Sequence, residues 1–581
     1  MKVSMRIPSK LLLSLMAVTL LITLAFSSTK AAPDTGSSTL YYGGSILTME
    51  GSAPSYAEAL VVKDGRILFV GTKTQAEHLA GAAAKKVDLD GRALLPGFID
   101  AHGHVFNAGF QKLAANLLPP PDGGGKDVAS LVALLKEWQD KNAAAIKKSG
   151  WIIGFGYDDS RLAEGRHPTA KELDQVSTEL PVVIIHQSGH LAAMNHKGLE
   201  LAGITAETND PVGGVIRRQA DGKTPNGVLE EMASFGPIFK ILGALDSEAN
   251  EKIALAGVDA YTQHGFTTAQ EGRANKAATE TWRKLADERK LKIDVAVYLD
   301  LQSEIEYIKQ VGIHEDYTHH FRVAGVKLSL DGSPQGKTAW LSKPYLNPPP
   351  QKPDSYTGYP AIPSDKERQA LFNLAYQKNW QLLVHCNGDA AAEAMIDAVA
   401  VASEKYGKDD RRTVMIHAQT VRESQLERMK KLGILPSFFS MHTYYWGDWH
   451  RDETLGPERA ARISPTASAL KRGMRFTEHH DAPVALPSAI MILHTTVNRT
   501  SRSGEVIGPD QRVSPYQALK SITDWAAWQY FEQDSKGTLT KGKLADLVIL
   551  DQDPTQVDPA TIMNIRVLET IKEGQTVYKA Q

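Results

Sequence analysis

Between residue 97 and about residue 530 the chain alternates two hydropathy patterns. Short unbroken apolar runs, at 98–100, 182–185, 267–270, 293–299, 323–330, 381–384, 413–416, 435–439 and 475–477, read as strands buried on both faces. Between them, at 131–147, 248–263, 277–289, 365–378 and 390–405, apolar residues recur three or four apart and predict amphipathic helices. Such alternation is the signature of a parallel α/β sheet or barrel. The strand candidates exceed the eight of such a barrel by one. The run 182–185, set in a long region without steady alternation, is therefore assigned to an insertion.

The flanks read differently. Short strands at 40–49, 59–62, 66–70 and 87–95 are broken by Gly43-Gly44 and Lys63-Asp64-Gly65, and the same texture returns at 543–550 and 571–578. Neither end can bury a core alone, so the two are expected to pair into one small composite β-sandwich, residues 38–96 with 534–581, around a barrel at 97–533. Ahead of these, Lys2, Arg6 and Lys10 precede a mostly apolar run at 11–26, and Thr29-Lys30-Ala31 offers small residues for cleavage. Residues 1–31 thus read as a signal peptide, with the mature chain starting near Ala32 and exported to the periplasm or the medium. The apolar run is broken by Ser14, Thr19 and Thr23 and falls short of the roughly 20 residues a bilayer requires, so no stable membrane insertion is expected after cleavage.

Composition changes little: 42% hydrophobic and 23% charged residues exclude disorder, collagen and coiled coil. Charge excludes more, because 65 Lys+Arg against 67 Asp+Glu leave a formal net charge of -2 and no general field for nucleic acid or an anionic membrane. Cys386 is the only cysteine, which removes an internal disulfide framework. By strand alternation it faces away from His385 and packs.

Several apolar runs stop on polar residues of one kind. His102 and His104 are two apart where the first strand ends, so their rings point the same way, with Gly103 leaving room. Two imidazoles so placed make half of a metal site. His385, His417 and Asp481 end three later strands, and at equivalent positions of a barrel they would converge at its mouth. Lys327 lies inside an apolar strand, where an unpaired ammonium is costly, and must be paired, with Asp331 for example, neutralised or modified. Trp446, with Tyr444, Tyr445 and Trp449, reads as a substrate-pocket wall. Asn498-Arg499-Thr500 is a glycosylation sequon by pattern only.

Three segments carry a resemblance: Leu95-Pro96-Gly97-Phe98-Ile99-Asp100-Ala101-His102-Gly103-His104, Asp481-Ala482-Pro483, and Lys541-Gly542-Lys543-Leu544-Ala545-Asp546-Leu547-Val548-Ile549-Leu550. They resemble the opening, closing and C-terminal signatures of the amidohydrolase superfamily. Gly189-His190-Leu191-Ala192-Ala193-Met194-Asn195, Asp210-Pro211-Val212-Gly213-Gly214 and Val326-Lys327 with Asp331-Gly332-Ser333 are similar to its YtcJ-like branch, which includes N-substituted formamide deformylases. The resemblance implies a (β/α)8 TIM barrel with one or two divalent metals, usually zinc. It makes His102, His104, His385 and His417 ligands, Lys327 a carboxylated bridge, and Asp481 both ligand and proton carrier. Two departures stand out. Ile416 occupies a place where relatives have Glu, and His479-His480 replace Gly-Ser, adding imidazoles that are either substrate contacts or rival ligands.

The implied reaction is attack of metal-activated hydroxide on a small-molecule amide or formamide, with Asp481 shuttling the proton and His190 and His442 near the carbonyl. Ester or cyclic-amide hydrolysis would use the same groups. The competing class is an exported solute-binding barrel that turns nothing over. Assembly into a homo-oligomer is left open.

Overall fold

The structure is a computed structural model that describes residues 38–243, 245–349 and 352–581. The expected signal peptide lies outside the described residues. No helix among them is long and apolar enough to cross a membrane.

Eight parallel strands form the central sheet in chain order: Phe98–Ile99, Phe266–Ala274, Asp294–Asp300, Phe321–Ser329, Leu382–Cys386, Val414–His417, Leu435–Phe438 and Thr477–Glu478. These are the expected barrel strands, and their side chains are buried on both faces almost throughout, as their unbroken apolar runs require. The first and eighth strands meet through side chains: Gln529 donates from Nε2 to the Ala101 carbonyl at 2.7 Å and accepts from Thr477 Oγ1 at 2.8 Å. At their C-terminal ends the Asp481 amide donates to the His102 carbonyl at 3.3 Å. Helices return the chain between strands, and several start on a residue whose side chain accepts from the third helical amide: Asp246, Asn275 and Ser364. The expected helix at 131–147 is two, Val128–Lys141 and Ala143–Ser149, separated at Asn142.

Between the first and second barrel strands lies a separate six-stranded sheet that includes Ile152–Tyr157, Val182–His186, Leu191–Met194 and Pro225–Glu231. The strand set aside from the sequence, 182–185, belongs to this insertion. The two chain ends share one further sheet, in which Ala93–Pro96 pairs with Leu547–Leu550 on one side and with Thr39–Leu47 on the other. They thus pair as one eight-stranded sheet, not as two separately assigned layers. Alternation sorts its residues: Leu94, Leu547 and Ile549 join one cluster, while Ala93, Leu95, Val548 and Leu550 join the core beneath the barrel helices. Asp294, at the start of the third barrel strand, binds Lys572 Nζ at 2.6 Å and Lys536 Nζ at 2.5 Å and so fastens this sheet to the barrel.

Candidate metal centre and its cavity

The strand ends converge as their spacing predicts. His102 Nε2 lies 3.3 Å and His104 Nε2 3.4 Å from Asp481 Oδ1, and His417 Nε2 lies 3.8 Å from Asp481 Oδ2. His385 Nδ1 is 3.0 Å from His417 Nε2, and Lys327 Nζ is 2.8 Å from His102 Nε2. Glycine makes the approach feasible: a Cβ on Gly103 would stand 2.3 Å from the Tyr261 hydroxyl, and one on Gly272 would stand 2.7 Å from the His102 ring. His417 and Asp481 both hold left-handed backbone, φ 71° and 53°, a conformation that non-glycine residues adopt at a cost and often at functional sites.

Each ring is fixed from behind. Gln270 donates from Nε2 to the Ala101 carbonyl and Tyr530 Oη, so its Oε1 faces His102 Nδ1 at 2.6 Å and must accept from it. His104 Nδ1 donates to the Gly272 carbonyl, and His385 Nε2 to the Gly332 carbonyl at 3.0 Å. His417 Nδ1 meets His479 Nε2 at 3.2 Å, and His479 Nδ1 meets Ser437 Oγ at 2.9 Å. The inner nitrogens of His102, His104 and His385 therefore turn lone pairs inward. Burial, reinforced by neighbouring cations and imidazoles, holds His102, His385, His417 and His479 well below the usual histidine range, so the rings are neutral.

This arrangement suits a cation. One ligand atom from each of His102, His417 and Asp481 falls within 4.8 Å of the others, and Asp481 Oδ1 is buried without a hydrogen-bond partner. Ligand bonds of about 2.1 Å at tetrahedral angles would place donor atoms about 3.4 Å apart, close to the separations found. Lys327 has no carboxylate within ion-pair distance among the described residues. Asp331, proposed as its partner, instead accepts from the amides of Asn387, Gly388 and Trp340. Burial lowers Lys327 to about 7, so a substantial share of it is the neutral amine near neutral pH.

Both doubtful histidines lie behind the ligands. His479 orients His417, and His480 faces Asp100 at 3.4 Å, with its ring against Tyr261 and Phe266. His190 reaches the cavity beside the cluster, its Nδ1 2.7 Å from Glu231 Oε2. His442 and Trp446 do not line that cavity. One helical turn apart on Met441–Trp449, they share its buried face: His442 packs on Phe439 behind His417, and Trp446 donates to Asp158 at 2.6 Å. Cys386 is buried beside Ala391 and Met395, away from the site. The Asn498 amide is engaged by the Pro559 carbonyl at 2.7 Å. Sequence reasoning missed Gln270, Glu231 and Arg273; the second strand was read as ending at 270, although its polar continuation Glu271-Gly272-Arg273 is of the kind that marked the other strand ends.

A second cluster lies in the insertion, where Ile152–Tyr157 and Val182–His186 run parallel. His186 Nε2 is 3.0 Å from Asp159 Oδ1 and 3.6 Å from Asp158 Oδ1, and His167 Nε2 is 3.4 Å from Asp159 Oδ2. Burial alone would discharge His186, but the two carboxylates outweigh it and raise the ring to about 9.

The amidohydrolase family model matches residues 85–578. The YtcJ protein of Bacillus subtilis, whose name gives it as an amidohydrolase, is 25% identical over 93% of this chain and 99% of its own. The N-substituted formamide deformylase of Arthrobacter pascens is 25% identical over 90% of this chain and 95% of its own. A metal-dependent hydrolase of Pyrococcus horikoshii superposes with a TM-score of 0.71 at 24% identity, over 93% of this chain and all of that one. With the match spanning barrel and flanking sheet alike, the chain belongs to the amidohydrolase family, on its YtcJ-like branch, and is a hydrolase.

Proposed function

We propose that this hydrolase is exported, holds zinc, and cleaves non-peptide carbon–nitrogen bonds in small amides, formamides among them. The observation that carries the reading is the convergence of four imidazoles and Asp481, with His102, His104 and His385 each donating from the outer nitrogen and so turning a lone pair inward. A donor set rich in neutral imidazole, with a carboxylate, suits zinc. His102, His104, His385, His417 and Asp481 would hold the metal, and Lys327, as a carbamate, would bridge two ions. A divalent metal there supplies a Lewis acid that polarises a carbonyl and acidifies water.

The chain's own groups supply the rest. Asp481 takes a proton from the water whose oxygen adds to the carbonyl carbon. It returns that proton to nitrogen as the carbon–nitrogen bond breaks, so one water is consumed and an acid and an amine leave. His190, held on Glu231, presents Nε2 to the substrate. Phe110, Phe155 and Val484 wall the cavity and limit bulk water around the reacting groups.

The test is elemental analysis of protein purified without added metal, with turnover of a panel of small amides and matched esters. About two zinc per chain fits the bridged site, and about one fits a single ion with Lys327 in another role. Ester turnover without amide turnover would replace the amide reading with the esterase one. Failure to retain any metal after reconstitution would overturn the metal reading. N-terminal sequencing of the protein recovered from its producing cells tests export: a start near Ala32 is expected, and a start at Met1 refutes it.

A further inference from the structure

Arg273 has a position that the proposed chemistry leaves unexplained. It is the residue at which the second barrel strand slips register against the third, between Gly272 and Ala274, and its φ is 60°. Bulges of this kind re-aim a side chain, and here the guanidinium turns into the cavity shared with His104, Lys327, His385 and Asp481. Its Nε donates to Asp300 Oδ2 at 2.6 Å, the only hydrogen bond of this side chain among the described residues. Asp300 is otherwise occupied, its Oδ1 accepting from the Gln302 amide and from the Ser303 amide and hydroxyl. The ring of Phe235 lies 5.1 Å beneath the guanidinium carbon and fixes its plane.

With Nε committed, the two terminal nitrogens keep their parallel N–H pair for a ligand. That fork matches a carboxylate. Apolar side chains, Phe110, Phe155 and Ile185 among them, also line the cavity, which is small, about 130 Å³, comparable to one that holds a single benzene. We infer that Arg273 is a specificity-determining residue that binds the carboxylate of a compact anionic substrate, so that the preferred amides are N-acyl or N-formyl derivatives of small apolar amino acids. This rests on the amide-hydrolase reading for the bond cleaved, but the recognition of the carboxylate does not.

Two measurements on the zinc-loaded full chain test it. The first compares kcat/KM for N-formylalanine and N-ethylformamide, which differ only by the carboxylate. The wild type should prefer the acid by about 10- to 100-fold, the scale of a charge-assisted hydrogen bond. Arg273→Met should lose most of that ratio and Arg273→Lys should keep part of it. An arginine that only braces two strands would slow both substrates alike, and that outcome refutes the proposal. The second measures propionate and propionamide binding by calorimetry in the same variants, since a carboxylate can also bind a metal directly. Propionate preference that disappears in Arg273→Met supports the proposal; preference that survives there, or is absent in the wild type, overturns it. If neither formamide is hydrolysed, the amide reading fails while the calorimetry still judges Arg273. Should Arg273→Met misfold because Asp300 is left unpaired, Arg273→Met with Asp300→Asn removes both charges and the same comparisons apply.

Discussion

Two buried clusters of histidine and aspartate sit at the C-terminal ends of parallel strands, one in the barrel and one in the insertion, and each gathers three atoms able to hold a metal. They differ in proton balance. In the barrel, several neutral imidazoles face Asp481, whose Oδ1 is buried without a hydrogen-bond partner, and Lys327 Nζ lies on His102 Nε2 and not on the carboxylate. In the insertion, Asp158 and Asp159 flank His186 closely enough to keep it protonated, so an imidazolium already takes the cation's place. The other carboxylate oxygens there are engaged too, Asp158 Oδ2 accepting from the Trp446 indole and Asp159 Oδ2 facing His167, while Asp158 Oδ1 also accepts from the Ser160 hydroxyl. Ligand type and spacing therefore do not separate a metal centre from an internal ion cluster. The fate of the protons does, because a ring that donates from its outer nitrogen can only offer a lone pair with its inner one.

This contrast can be attacked from both sides. Asp481→Asn should lower kcat by about 10²- to 10⁴-fold while metal content stays near that of the wild type; unchanged turnover would remove Asp481 from proton transfer. His186→Ala should leave metal content intact and cost about 3–5 kcal/mol of stability, because two buried carboxylates lose their cation. Loss of metal in that variant, read by elemental analysis beside denaturant unfolding, would mean that the insertion cluster is a metal site after all. His479→Ala should weaken metal affinity by about 10- to 100-fold, measured by chelator competition, because His417 loses the partner that orients it.

The smallest effect expected is on pH dependence. The His186 ring is raised in the fold to about 9 from its ordinary value near 6.5. Its stabilising contribution is therefore complete below about pH 6.5 and fades as pH rises through 9. Unfolding midpoints measured across that window should fall with pH in the wild type and fall less in His186→Gln. Parallel curves would sever the link.

How much of this was legible in sequence follows from what makes each feature. The barrel strands were readable because burial on both faces leaves an unbroken apolar run, and their terminal His and Asp stood out against it. Lys327 was identified as anomalous by the same contrast. His442 and Trp446 misled because an aromatic-rich segment after a strand looks alike whether it lines a pocket or packs behind one; their helical spacing, i and i+4, was the available sign of a shared face. Glu271-Gly272-Arg273 marked a polar strand end, but not that Arg273 turns into the cavity, because a bulge is a register event between two strands that one strand's hydropathy does not record. Glu231 and Gln270 act through partners more than forty positions away in the chain, which no local pattern reports.

The sheet shared by the two chain ends has a consequence for how the molecule is made. Ala93–Pro96 is among the first strands to leave the ribosome, yet one of its two neighbours, Leu547–Leu550, is among the last. At roughly 5–20 residues per second, the intervening chain takes on the order of 20–90 s to synthesise. Throughout that interval one edge of Ala93–Pro96 lacks its native partner and can pair with other chains. The last thirty-odd residues thus act as a closing seam, and a chain that stops short of them leaves that edge open beside an otherwise complete set of barrel strands.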